Sequence, residues 1–281
     1  MLGRIYASYP EVLVESFAGM TDEYGEKGAK GQMGGMLKQV LAFYIRCFGI
    51  PEMGFQIRGM YFEEMRREIK RKVRRVLDAG SGIGFYALYM GEIYPEAQVV
   101  GGDIDRRKLA WCRKVATKLE RGNVEFEKWD LTKGRRAKEK FDLIVNIDVL
   151  EHIKNCEKVL GNFYRWLLPE GYLFLHVPQP NQRRIFRGSR QWKHKDHVRE
   201  GIGREKLEED LRKAGFEIVE MRNTHGFWGS LAWELNHMAL GKSLILAGVS
   251  FPFLYLLAKL DLAGKNKWGL CTAVLARKRR R

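Results

Sequence analysis

The sequence predicts an α/β fold: a doubly wound sheet with helices on both faces. Two observations carry this reading. From residue 75 to residue 223, short runs rich in β-branched residues alternate with helix-like runs. Such alternation implies parallel strands joined by right-handed crossovers. A glycine-rich turn, Gly80-Ser81-Gly82-Ile83-Gly84, follows the first of these strands. Folds of this kind open a helix towards a ligand at that point.

Residues 1–57 read as mostly helical, with glycines at 25, 28, 31, 34 and 35 marking a loose connection. Residues 61–75 run from acidic to basic and read as a helix whose charge order suits its dipole. Strands follow at 75–80, 97–103, 123–130, 141–148, 171–178 and 216–223. Between them come helices at 85–94, 106–120, one reaching about residue 168, and 204–215. A basic, polar loop covers 179–202. Residues 224–268 break the alternation and read as an apolar helical insertion before a last strand at 269–278. The expected organisation is a helical N-terminal cap (1–60), a core (61–223), the insertion (224–268), and the last strand with a basic tail (269–281).

The 281 residues are 45% hydrophobic and 30% charged, which excludes a disordered tail protein or a fibrous repeat. The four cysteines, at 47, 112, 156 and 271, form no CxxC pair, so neither a zinc ribbon nor a disulfide framework is expected. With no apolar leader in the first residues, a reducing cytoplasm fits best. Fifty Lys and Arg against 34 Asp and Glu give a net charge of +16. That favours an anionic partner: nucleic acid, a membrane surface or an acidic substrate.

The strongest motif is the glycine turn with Asp78 before it. A dinucleotide fingerprint would place a glycine where Phe85 stands. Asp78 would repel a pyrophosphate and attract an amino-acid ammonium group. Asp103 ends the second strand, where a carboxylate accepts hydrogen bonds from both hydroxyls of a ribose. Asp130 ends the third and suits an adenine amino group, with Trp129 or Leu131 packing on the ring. All three carboxylates fall on the C-terminal edge of the sheet.

In combination these runs resemble the motifs of class I S-adenosylmethionine-dependent methyltransferases: VLDAGSGIG (76–84), VVGGDID (99–105), KWD (128–130) and FDLIVNIDVLEHI (141–153). The resemblance covers roughly 70–223 and 269–278. It implies a Rossmann-like, seven-stranded sheet and S-adenosyl-L-methionine as cofactor. Asp78, Gly80, Ser81, Gly82 and Gly84 would hold the methionine part, Asp103 and Ile104 the nucleoside. Asp130, with Trp129 and Leu131, would take the adenine, and Asn146 would line the sulfonium pocket with its backbone.

Catalytic candidates cluster in Asp148, Glu151 and His152, an imidazole being a suitable general base. This stretch also resembles the E-x-x-E-H pattern of ubiquinone-pathway O-methyltransferases, which hold a divalent ion. Asp148 replaces the first Glu here, and no metal is assigned. His194 and His197, in the basic loop, are further candidates, and the loop's arginines suit a phosphate or carboxylate.

Residues 244–258 are apolar except for Ser250. As a helix they would span ~22 Å, short of a ~30 Å hydrocarbon core, and Pro252 interrupts them. They are expected to pack in a core or meet a membrane interface or lipid tail, with the basic C-terminus attracting anionic headgroups. The expected function is methyl transfer to oxygen or nitrogen of a small, apolar or lipid-like acceptor, in the cytoplasm or at a membrane surface. One rival is an RNA methyltransferase, although Asn146-Ile147-Asp148-Val149 lacks the prolines that base N-methyltransferases carry there. The other is a non-catalytic, cofactor-binding membrane adaptor. The oligomeric state is not legible.

Overall fold

Seven strands form one sheet in a computed structural model that describes residues 35–134, 140–186 and 198–279, together with 6, 7, 10, 12 and 13. They are Arg75–Ala79 (β1), Gln98–Asp103 (β2), Val124–Lys128 (β3), Phe141–Ile147 (β4), Leu167–Pro178 (β5), Phe216–Thr224 (β6) and Cys271–Lys278 (β7). The order across the sheet is β3-β2-β1-β4-β5-β7-β6. The helices are Gly35–Phe48 (α1), Met53–Met65 (α2), Phe85–Ile93 (α3), Arg106–Lys118 (α4), Cys156–Trp166 (α5), Arg204–Lys213 (α6), Phe227–Leu240 (α7) and Leu244–Ala263 (α8).

Strands β1 to β5 pair in parallel, as the alternation predicts, but β7 runs antiparallel to both β5 and β6. The reason is the connection. The α7–α8 hairpin leaves β6 at one edge of the sheet and returns the chain to that same edge, so the next strand must run back.

Successive side chains of a strand point to opposite faces. Val76, Val99, Val145, Phe174 and Leu275 join the core shared with α2, α3, α4 and α8. Leu77, Val100, Ile144, Leu173 and Val274 join the core under α5 and α6. With both faces covered, β4 is buried at all seven positions, which is why it is apolar except at Asp142 and Asn146, whose side chains are hydrogen-bonded within the fold.

The helix expected at 61–75 is a correction. It is the end of α2 followed by one short 3-10 turn, Arg66–Glu68, and then extended chain. Past Glu68 the segment carries no acidic residue to offset its basic ones. Asp142 draws the chain out instead. Its Oδ2 accepts from the N–H groups of Arg74 and Arg75, both at 2.9 Å, and its Oδ1 pairs with Arg71 at 2.5 Å.

The apolar run is also longer than expected. α8 continues past Lys259 to Ala263, 20 residues in all. Pro252 sits inside it and has no N–H to give the carbonyl of Gly248. That carbonyl takes the Tyr44 hydroxyl of α1 at 3.0 Å instead, which satisfies the gap and ties the two helices together. α8 is anchored to α2 and α7 through Asp261. The Asp261 carboxylate accepts from Tyr61 Oη at 3.0 Å and from the Gly229 N–H at 3.0 Å. Asn236 of α7 binds the start of α2, accepting from the Met53 N–H at 2.8 Å. These hydrogen bonds hold α1, α2, α7 and α8 together as one layer.

Candidate active site

The turn after β1 is held closed by β2. The N–H groups of Gly80 and Ser81 both donate to the Gly102 carbonyl, at 2.7 and 3.0 Å. Gly80 has φ +88°, and a Cβ there would meet Val149 Cγ2 at 2.4 Å. Glycine is therefore required, and the chain after β4 presses directly on the turn. Gly82 differs: it has φ +52° and nothing within 4 Å of where its Cβ would stand. That open side is a cradle for a ligand's backbone approach.

Asp103 Oδ2 accepts from the Gly82 N–H at 2.9 Å and Oδ1 from the Asp105 N–H at 2.9 Å. The carboxylate thus couples the turn to the end of β2, and each oxygen keeps lone pairs free. Ile104 beside it is 65% exposed. Asp78 is buried, and its Oδ2 has no hydrogen-bond partner among the described residues; neither has Ser81 Oγ. Burial, aided by the neighbouring Asp103 charge, pushes the Asp78 carboxyl up to about 7, against the Ala87 N–H that favours its ionised form. A buried carboxylate oxygen without a partner is costly. A cationic ligand group beside the cradle would remove that cost, so the residues present fit an amino-acid moiety.

Asp130 caps its own turn. Oδ1 accepts from the Thr132 N–H and hydroxyl at 3.0 and 2.6 Å, and Oδ2 faces Lys133 at 3.4 Å. Trp129 and Leu131 are corrections. Both are buried in the core under α5, Trp129 edge-on to Trp166 with centroids 5.3 Å apart. Gly102 leaves room for this, since a Cβ there would meet Trp129 Cβ at 2.8 Å. Asn146 is fully buried, and its side chain is used within the sheet. Nδ2 donates to the Ala79 carbonyl at 2.6 Å, joining the ends of β4 and β1.

The catalytic candidates divide. Asp148 has φ +53°, which turns the chain off the end of β4 and aims its carboxylate inward. It pairs with Arg58 of α2 at 2.5 Å and with His176 Nδ1 at 2.7 Å. Burial alone would raise its pKa; the Arg58 guanidinium and His176 overturn that and hold the carboxyl well below the usual range. Glu151 is buried, with Oε2 lacking a partner among the described residues. Burial, then the Asp148 charge, pushes its carboxyl up to about 8. His152 is exposed. It ends the single 3-10 turn Leu150–His152, whose first two side chains point inward; three residues per turn then send the third out. The three residues of the E-x-x-E-H pattern do not converge. His194 and His197 lie outside the described residues.

The structure adds partners that the motifs did not mark. His176 lies on β5, and its Nε2 shares a hydrogen bond with Thr224 Oγ1 at 2.9 Å. That hydroxyl lies 3.2 Å from His225 Nδ1. Burial holds His225 well below its usual pKa, so it stays neutral. His176, His225 and Cys271 bring ligand-type atoms within 4.8 Å of one another. Both nitrogens of His176 are already hydrogen-bonded and the Arg58 cation stands beside the group, so it reads as a polar network rather than a metal centre. Phe55 and Tyr86 flank Arg58, Tyr86 Oη donating to the Phe55 carbonyl at 3.3 Å. Arg184 stacks on Trp233 at 4.5 Å, and the Glu234 carboxylate accepts from the N–H groups of Ile185 and Phe186 at 2.8 and 3.0 Å. α7 thereby anchors the loop that leaves β5.

A sequence model of a methyltransferase domain matches residues 57–221, from α2 to β6. The chain belongs to that family. It is a class I S-adenosylmethionine-dependent methyltransferase in family and in fold. Phosphoethanolamine N-methyltransferase 1 of Triticum aestivum is 31% identical over 136 residues, 47% of this chain and 26% of that protein. (S)-coclaurine N-methyltransferase of Papaver somniferum is 28% identical over 150 residues, 53% of this chain and 42% of that one. The methyltransferase thus spans less than half the length of these curated relatives. The solved structure of Haemonchus contortus phosphoethanolamine N-methyltransferase 2 with S-adenosyl-L-methionine shares the fold, with a TM-score of 0.55 at 22% identity over 80% of this chain and 52% of that one.

Proposed function

We propose that this methyltransferase transfers a methyl group to the nitrogen of a small amine with an apolar body. The observation that carries the reading is the pair of carboxyls after β4, set beside the glycine turn and held at opposite protonation tendencies: Arg58 and His176 keep Asp148 ionised, while burial and the Asp148 charge raise Glu151. The relatives named for N-methylation of small molecules support nitrogen as the acceptor atom.

Asp78 would hold the cofactor's ammonium group, the turn around Gly82 its methionine backbone, Asp103 its ribose hydroxyls, and Asp130 its adenine amino group, with Ile104 packing alongside. When bound, S-adenosylmethionine supplies a methyl group activated by a sulfonium. An amine becomes a nucleophile only after losing its ammonium proton. Glu151, with one oxygen unpartnered and a carboxyl at about 8, is the group suited to take it. Asp148 stays anionic between Arg58 and His176 and attracts a cationic acceptor. Phe55 and Tyr86 offer that acceptor an aromatic wall.

The test is incubation with methyl-labelled cofactor and a panel of primary, secondary and tertiary amines beside phenols and RNA. Label in an amine is expected; label confined to phenol or RNA overturns the nitrogen assignment.

Asp78 gives a pH signature. Its carboxyl is raised when the crevice is empty, so ionising it costs stability as pH rises from ~3.9 towards about 7. An ammonium ligand needs the ionised form. S-adenosylhomocysteine should therefore bind about tenfold more tightly at pH 8 than at pH 6, and Asp78→Asn should bind weakly with no such slope. Calorimetry at both pH values measures it.

A further inference from the structure

The outward side of α8 has no partner in the described fold. Ile245, Val249, Phe253, Leu256 and Leu260 recur at helical spacing, and each is between 53% and 78% exposed. α1, tied to α8 through Tyr44 and Gly248, adds Met36, Val40 and Phe43, each at least 60% exposed. At roughly 100 Å² apiece, these eight side chains exceed the ~300–600 Å² of an ordinary monomer's largest apolar patch.

Charge says what covers the face. Between residues 35–50 and 239–268 the chain carries Lys38, Arg46, Lys242, Lys259, Lys265 and Lys267. The sole carboxylate in those segments is Asp261, which is buried against Tyr61 and Gly229. An apolar face carried on segments this cationic fits the boundary between acyl chains and anionic headgroups. A second copy docking through the same face would bring two cationic surfaces together, which is unfavourable.

By length and composition, Ile245–Ala263 would also suffice to cross a bilayer. Its other side argues for a helix lying in the interface plane. Ala247, Phe251, Leu254, Leu257 and Ala258 are buried in the protein core, and spanning would strip them from it. α7 and α8 lie outside the residues matched by the family.

We propose that the outward faces of α1 and α8 seat the methyltransferase on an anionic phospholipid surface, with α8 in the interfacial plane. The test is flotation of the full chain with vesicles of phosphatidylcholine alone or with a third phosphatidylserine. Flotation with the anionic vesicles alone is expected, falling at least tenfold in V249E/F253E. These positions are exposed, and an unchanged melting temperature checks the fold. The charge variant K242E/K259E leaves the apolar face intact and should lose the preference for phosphatidylserine. Absent flotation, or flotation that neither variant alters, overturns the proposal. So does a dimer in light scattering that V249E/F253E splits, because a second copy then covers the face. The assay reads no catalysis, so it stands or falls apart from the amine assignment.

Discussion

Glu151→Gln lowers kcat on an amine acceptor by roughly 10²–10⁴-fold, the range for removing a positioned general base. The replacement keeps the volume of the buried side chain and removes its titration. In the unaltered enzyme the carboxyl sits at about 8 because it is buried beside Asp148. Below that pH it is mostly protonated and cannot accept a proton. The rate should rise tenfold per pH unit up to about 8 and then level. In Glu151→Gln that limb should vanish, while KM moves little because the methylated atom, not the acceptor's body, meets the carboxyl. A kcat within threefold of the original, or an unchanged pH limb, removes Glu151 from the reaction. His152→Ala serves as the contrast. Its side chain is exposed at the end of the same turn, so activity should stay near that of the original.

Arg58→Met has its main effect on stability. The guanidinium lies 2.5 Å from Asp148 and outweighs the burial that would otherwise raise that carboxyl's pKa. The pair is 22% and 25% exposed, so removing one partner strands the other at a cost of at most about 3–5 kcal/mol, the range for a fully buried pair. For a chain of this size that lowers Tm by at most about 10 °C. Asp148 contributes stability because its folded pKa is depressed. The contribution is complete above its unfolded value near ~3.9 and is lost as pH falls through and below it. Arg58→Met should flatten this acid limb of the stability curve. Adding Asp148→Asn should recover part of the lost Tm, since no buried charge is then left unmatched. Thermal melts from pH 3 to pH 7 decide this; a Tm unchanged by Arg58→Met contradicts the pairing.

The central strands β1, β2 and β4 were legible because each is a short, largely apolar run closed by a glycine or an aspartate. Asp78, Asp103 and Asp130 were legible for a related reason: a carboxylate closing an apolar strand has no packing role. The direction of β7 was not legible, since its sequence reads alike in either orientation and the connection decides. The end of α8 was misread at Lys259 because a lysine resembles a boundary. In the fold Lys259 is exposed on one side, while Asp261 is buried on the other by Tyr61 and Gly229. Trp129 was misplaced because a strand-end aromatic fits either an adenine or a core. Gly102, which makes room for it, is on a neighbouring strand.

Beside Asp148 the sequence marked one histidine and the fold places another. His152 stands in a motif, whereas His176 is inside an apolar strand and draws its meaning from Asp148 and Thr224, which are distant in sequence. Arg58 left one usable sign: a single cation in the apolar run MGFQIRGMYF needs a buried partner. No local pattern names that partner, because the pairing spans the cap and the core.

The most direct measurement is titration of the protein with S-adenosylhomocysteine in a calorimeter at pH 8, beside Asp103→Ala checked for an unchanged fold. One site per chain, lost in the variant, is the expected result. Folded protein that gives no binding heat, or binding that survives in Asp103→Ala, would contradict a nucleoside held at the end of β2.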